Sequence, residues 1–298
     1  MRLVTFTHNG ADKIGALNAK SKTITDLKAA DPSLPSTMQA LIERGHDGLS
    51  QAQAAIDSTG EKARLSADDV VLKAPIPEPR RDVMAVGRNY HEHAQEFHDS
   101  GFDATSGATA VPDDPIIFTK ATTSVSGPFD PIPAYLDPTN STDYEGELAV
   151  IIGTGGRGIS RADAFDHVYG YTTSNDVTAR TLQHQHKQWF IGKGLDGYCP
   201  MGPVLLTADE AGHPDTFHLK TEVNGEIRQD SSCSALIFDI PTLIETISTG
   251  ITLLPGDIIV TGTPVGVGIG FKPPVFLKKG DVVRVDISPI GAIENVVE

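Results

Sequence analysis

A β-rich α+β fold is what this sequence predicts, and three features of its pattern predict it. Short apolar runs of strand length recur between Gly- and Pro-containing turns from residue 82 onward. Helical periodicity is confined to brief stretches, chiefly 160–167, 178–188 and 241–248, so strands do not alternate with helices as in a parallel βαβ sheet. The cluster Pro75, Pro77 and Pro79 then marks a change of grain, because prolines favour extended chain and break helices. It divides the chain into a small α+β unit at 1–78 and a larger catalytic domain at 79–298.

In the first unit, 2–6 and 14–17 alternate as a hairpin pair. Segments 36–44 and 50–57 read as short helices, the first carrying Met38, Leu41 and Ile42 on one side. No catalytic constellation falls in this unit. In the second, strands are expected at 83–86, 116–118, 147–152, 204–207, 218–223, 257–261 and 281–287, with Pro241 near a helix start. Residues 98–114 offer little to bury and form a long loop, the usual setting of a lid.

The chain has 298 residues, enough for a large core, and 39% hydrophobic with 21% charged residues makes it globular. Lys and Arg total 24 against 39 Asp and Glu, a formal net charge of -15, which disfavours nucleic acid and anionic membrane as bulk partners. A small anionic substrate would need locally placed cations. No apolar stretch approaches the roughly 20 residues of a membrane span, and residues 1–10 lack the apolar core of a secretion signal. A cytoplasmic location is therefore expected. Cys199 and Cys233 are too few for a disulfide framework or a zinc cluster.

The chemistry concentrates in Asp143-Tyr144-Glu145-Gly146-Glu147-Leu148-Ala149-Val150-Ile151-Ile152. Its apolar tail marks a strand, and strand period 2 aims Glu145 and Glu147 at one face. Side by side the two carboxylates repel unless one holds a proton or a hard divalent cation such as Mg2+ or Mn2+ collects their oxygens. An acidic solvent face on an edge strand is the alternative. Asp176, between a short strand and a helix, reads either as a helix N-cap or as a third oxygen ligand that leaves open positions for substrate.

His93 and Glu96 sit at i, i+3 on an expected helix just before the lid. A carboxylate beside an imidazole fixes its tautomer and raises its basicity, as a general base near neutral pH requires. A solvated polar helix is the alternative. Lys193, between Gly192 and Gly194 in an aromatic-flanked turn, could neutralise a carboxylate or a developing enolate, or be a surface lysine. The run Thr261-Gly262-Thr263-Pro264-Val265-Gly266-Val267-Gly268 offers hydroxyls and backbone N–H groups as an anion cradle, or is a plain Gly-rich turn. Gly153-Thr154-Gly155-Gly156-Arg157-Gly158 matches the dinucleotide fingerprint in letters, but Ile159 and Ser160 separate it from any helix. His184 and His186 lie on different helix faces, which argues against a zinc pair.

Taken in order, these motifs resemble the fumarylacetoacetate hydrolase family over about residues 75–298. The matching signatures are Gly87-Arg88-Asn89-Tyr90 with His93, Asp143 to Leu148, Asn175-Asp176-Val177-Thr178-Ala179-Arg180, Lys193 with Cys199-Pro200-Met201-Gly202-Pro203, Val223-Asn224-Gly225-Glu226, and Pro255-Gly256-Asp257 running into Thr261 to Pro264. The resemblance implies a mixed β-sandwich roll, a homodimer, and Mg2+ or Mn2+ held by Glu145, Glu147 and Asp176. It implies a lid-borne His93–Glu96 dyad, with Lys193, Gln183 and Thr263 on the substrate's keto and carboxylate oxygens. Arg88, Tyr90 and Lys120 are further substrate-binding candidates from matched motifs. Lys120 stands in Phe118-Thr119-Lys120-Ala121 where the family has Phe-x-Lys-Pro. The turn Gly194-Leu195-Asp196-Gly197 lacks the family's usual hydroxyl residues, which bears on substrate size.

The expected function is metal-assisted C–C bond hydrolysis of an acylpyruvate-type 1,3-diketo acid through a stabilised enolate. Decarboxylation of oxaloacetate at the same site is the alternative, since it passes through the same enolate without attack by water. A non-catalytic oxo-acid binder that kept the fold is a reading of another class.

Overall fold

The computed structural model describes residues 1–102 and 109–298, so the centre of the expected 98–114 lid lies outside the described residues. The architecture is strand-rich α+β: a large mixed sheet faces a second, four-stranded antiparallel one. The centre of the large sheet is the apolar Gly146–Ile152 strand, buried along its whole length. It pairs antiparallel with Val168–Asn175 on one side and with Ile258–Val260 on the other. Ile258–Val260 runs parallel to Val83–Gly87, which pairs with Ile116–Lys120. On the opposite flank, Val168–Asn175 pairs with Cys199–Thr207.

Beyond that flank come the N-terminal strands. Arg2–His8 and Ala11–Asn18 form the expected hairpin, and Arg2–His8 also pairs antiparallel with Cys199–Thr207, Leu3 opposite Leu205. Residues before and after position 78 therefore share one sheet. The helices Met38–Ile42 and Gly45–Ser58 bury Met38, Leu41, Ile42 and Ala52 in a core that also holds Leu3, Leu205 and Val260.

The four-stranded sheet runs in the order Glu226–Ser232, His218–Val223, Val282–Ser288, Gly291–Val296. The first two strands are joined by Asn224 and Gly225, both at positive φ (53° and 79°), as a tight hairpin turn requires. This sheet packs on the large one at Gly146, where a Cβ would lie 2.3 Å from Thr221 Oγ1. Strands Glu226–Ser232 and Gly291–Val296 go beyond what the pattern predicts, because their solvent-facing Glu226, Asp230 and Glu294 dilute the apolar signal.

One expected helix is absent. Residues 160–163 form a polar turn in which Ser160 Oγ donates to Asp163, and only a single 3-10 turn, Ala164–His167, follows. Local side-chain bonds of this kind compete with helix formation. By contrast, Ile240–Ser248 starts as expected, with Pro241 in its first turn and the Asp239 carboxylate accepting from Thr242 N. Among the described residues no helix is long and apolar enough to cross a membrane.

Because Leu3 is fully buried at the seam between the hairpin and the main sheet, Leu3→Ala should cost about 2–5 kcal/mol in urea unfolding. Activity per folded molecule should be unchanged, since the seam lies away from the acidic cluster described next.

Candidate metal centre and proton-transfer pair

Strand register assembles the acidic cluster. In the antiparallel pair, Gly146 lies opposite Asn175 and Glu147 opposite Ser174, and just before it Asp176 N donates to Glu145 O at 2.8 Å. Asn175 Oδ1 accepts from Glu145 N at 2.9 Å, which pins the turn. Glu145, Glu147 and Asp176 thereby bring carboxylate oxygens within 4.8 Å of one another, all three buried. Asp176 caps no helix: the next one, Arg180–His186, has Ala179 at its N-cap position.

Three cations are packed against these acids. Lys193 Nζ donates to Glu145 Oε2 at 2.8 Å and to Asp176 Oδ2 at 2.7 Å. Arg180 contacts Glu145 Oε1 at 2.6 Å and donates from Nε to Asp143 Oδ2 at 2.8 Å. Lys120 Nζ donates to Asp176 Oδ1 at 2.5 Å, to Val177 O at 3.2 Å and to Lys193 O. Against Lys120, Lys193 and Arg180 stand Asp143, Glu145, Glu147 and Asp176, one negative charge too many.

Titration of the cluster carries that surplus. Burial opposes the Glu145 charge, but Lys193 and Arg180 outweigh it and hold this carboxyl well below the usual range. Glu147 is pushed well above its ordinary value by burial, then by the charges of Asp176 and Glu145. Burial alone would depress Lys193, but Asp176 and Glu145 raise it. A divalent cation fits here: three hard oxygen donors converge, and its charge would reverse the sign of the cluster and let Glu147 ionise.

The candidate proton-transfer pair approaches from the other side. His93 and Glu96 lie on the His91–Asp99 helix, with Nδ1 and Oε2 3.0 Å apart. The Glu96 carboxylate also accepts from Gly266 N, at 3.1 Å to Oε1 and 3.3 Å to Oε2. An ionised Glu96 can only accept, so Nδ1 carries the proton and Nε2 is left as the basic nitrogen.

Between pair and cluster is a cavity of about 10 Å³, lined by Arg88, His93, Glu145, Glu147, Arg180, Gln183, Lys193 and Thr263 among others, with Phe97, Phe118 and Trp189 as an aromatic wall. That is room for about one water molecule, so the wall must move to admit a substrate. Arg88 NH1 donates to Ala110 O at 3.1 Å, which ties the cavity to the far end of the expected lid.

Two of the expected substrate contacts do not line this cavity. Lys120 is fully buried, does not line the cavity and spends its donors on Asp176 and two carbonyls, so it is a strut under the cluster. Tyr90 does not line the cavity either; its buried phenol is raised well above its ordinary value, by burial first, and bonds to Cys233. Arg180 and Asp143, in turn, belong to the cluster although neither was assigned a role from sequence. The one local signal was a lone arginine in an otherwise uncharged run after Asp176. The Gly-rich cradle at 261–268 is filled by this chain's own acids: Gly262 N donates to Glu147 Oε2 at 2.6 Å and Gly268 N to Asp143 Oδ1 at 2.7 Å.

Fold, acidic cluster and dyad agree with a match of residues 82–298 to the family model described as fumarylacetoacetate (FAA) hydrolase C-terminal, and the chain belongs to that family. It is 50% identical to oxaloacetate tautomerase YisK of Bacillus subtilis over 230 residues, 77% of this chain and 74% of the relative. Among solved structures, a fumarylacetoacetate hydrolase from Exiguobacterium antarcticum superposes with a TM-score of 0.83 at 42% identity, covering 100% of this chain and 99% of the other. A maleylpyruvate hydrolase from Sphingobium sp. SYK-6, solved in complex with manganese(II) and pyruvate, matches with a TM-score of 0.77 at 34% identity, covering 100% and 98%.

Because the Glu147 carboxyl is raised in the folded protein, metal uptake should expel its proton. Calorimetry with Mn2+ in two buffers of different ionisation enthalpy should show proton release at pH values below the raised Glu147 range. Affinity should rise with pH through the raised Glu147 range and level off above it. Without metal, the stability this group contributes is full below its ordinary value of 4.5 and is lost as pH climbs through the raised one. Uptake with no proton exchanged would contradict a protonated Glu147.

Proposed function

We propose that this protein interconverts the keto and enol forms of oxaloacetate, with Mg2+ or Mn2+ held by Glu145, Glu147 and Asp176. The observation that carries the reading is the buried acidic triad facing the His93–Glu96 pair across a small cavity, in a chain 50% identical over 230 residues to a relative named as an oxaloacetate tautomerase. The order of preference expected from the motifs, hydrolysis before decarboxylation, thus changes. All three reactions share an enolate, but tautomerisation asks only that one group take a proton from carbon and return it to oxygen.

In this reading His93 Nε2 removes a proton from the methylene carbon next to the ketone, and the electron pair of that C–H bond becomes the C=C of the enolate. The imidazolium is stabilised by Glu96, which is held in place by Gly266 N–H. The proton then passes to the former ketone oxygen, giving the enol. Arg88, Gln183 and Lys193 line the same cavity and carry donors suited to two carboxylates and a ketone, beside Thr263, whose hydroxyl donates to Gly146 O at 3.0 Å. When bound, the metal supplies positive charge opposite the enolate oxygen. The aromatic wall keeps bulk water from protonating the enolate at random.

Hydrolysis of an acylpyruvate is the second reading, supported by the manganese and pyruvate in the maleylpyruvate hydrolase structure. There His93 would take its proton from water instead of carbon.

The discriminating experiment follows the ultraviolet absorbance of enol oxaloacetate and, in parallel, pyruvate release from oxaloacetate and acetylpyruvate, with an EDTA-treated control. Faster loss of enol absorbance without pyruvate supports the tautomerase; metal-dependent pyruvate from acetylpyruvate would replace it with the hydrolase. His93→Asn should lower the tautomerisation rate by about 10²–10⁴-fold, and Glu145→Ala should abolish it by removing a metal ligand. An unchanged rate in His93→Asn would remove the dyad from the mechanism.

A further inference from the structure

We infer that Asp143 is a positioning residue that couples the acidic triad to the His93–Glu96 pair through the loop 266–270. The inference rests on reading the triad as a metal site and the pair as the proton-transfer group. Asp143 is fully buried yet does not line the cavity, so its carboxyl oxygens serve something other than direct contact with a substrate.

Its partners show what that is. On one side, Arg180 bridges Asp143 Oδ2 at 2.8 Å to Glu145 Oε1 at 2.6 Å. On the other, Gly268 N donates to Asp143 Oδ1 at 2.7 Å and Ile269 N to Oδ2 at 3.1 Å. The neighbouring Tyr144 adds a second tie, its hydroxyl donating to Gly266 O at 2.8 Å. The loop held this way is the seat of the dyad helix. Gly266 N donates to Glu96, and Val267 and Ile269 pack with Phe97 and Trp189. At Gly270 a Cβ would fall 1.8 Å from Glu96 Oε1, and at Gly268 a Cβ would fall 2.6 Å from Asp143 Oδ1. The glycines are thus where the backbone must approach two carboxylates.

Charge-assisted bonds from Glu145 through Arg180 and Asp143 to Gly268, and from Gly266 to Glu96, are therefore joined by the backbone of 266–268. A cation that settles Glu145 settles the seat of Glu96, and by linkage a seated Glu96 favours the cation. Asparagine cannot replace Asp143 in this path. Oδ1 accepts from Gly268 N and from Tyr144 N at 2.9 Å, while Oδ2 accepts from Ile269 N and Arg180 Nε. Either orientation of an amide turns its NH2 toward two donors.

Hydrogen exchange with Mn2+ alone as the probe tests this. In the wild type, Mn2+ should slow exchange of amides in 266–270 and 91–99 by about tenfold. In Asp143→Asn, Mn2+ should still bind, with Kd raised by up to about tenfold as linkage requires, the protection at 91–99 should be lost at saturating Mn2+, and kcat should fall about tenfold with KM within about twofold. In Gly270→Ala, which displaces Glu96 without touching Asp143, protection should persist at 266–270 and disappear at 91–99. Metal-dependent protection of 91–99 retained in Asp143→Asn overturns the coupling. Should that variant not fold, the wild type decides: Mn2+ uptake that protects 145–176 but leaves 91–99 unchanged overturns the coupling alone. No Mn2+ uptake by the wild type overturns the metal reading and the coupling with it.

Discussion

Four carboxylates buried around one point constrain everything else in this protein. Desolvating an ionised carboxylate costs several kcal/mol even after relaxation, and at these separations each acid also repels its neighbours. The chain answers with Lys120, Lys193 and Arg180, all buried and all engaged with the acids. The match is one charge short, and the shortfall falls on Glu147. A surplus of this kind makes a poor stabilising element and a good cation site, because the folding energy of the surrounding sheets holds the donors together against their repulsion. The two packed sheets are the frame that makes this arrangement tolerable.

The same constraint explains the unusual glycine content of 262–270. Backbone N–H groups are the remaining donors available to buried carboxylates, and here Gly262, Gly266 and Gly268 supply them to Glu147, Glu96 and Asp143. The loop acts as a neutral counterpart to the three cations. It spreads positive dipole over both halves of the site without adding another titratable group.

Much of this was legible in the sequence, and what was missed follows a pattern. Glu145 and Glu147 could be paired from strand period, although the strand itself starts only at Gly146, and His93 with Glu96 from helix spacing, because each relation is local. Asp176 could be placed near a strand end but not beside Glu145, since that depends on the register of two strands. Arg180 and Asp143 escaped because their partners lie 37 and 125 residues apart in sequence. Tyr90 and Lys120 were placed in the substrate's path on motif membership, which does not reveal which way a side chain faces. Among the elements, strands with alternating charged residues went unseen, and the N-terminal hairpin and the 204–207 strand were each visible while their pairing was not.

That last pairing bears on how the protein is made. Arg2 lies opposite Leu206, so the hairpin of Arg2–His8 and Ala11–Asn18, which can pair locally, cannot dock on the main sheet until some two hundred further residues exist. At about 5–20 residues per second this leaves the hairpin waiting roughly 10–40 s, with Leu3, Val4 and Phe6, all destined for the core, open to solvent or to a chaperone. The seam between hairpin and main sheet thus forms late, and Leu3 and Leu205 meet only when strands made far apart in time are brought together.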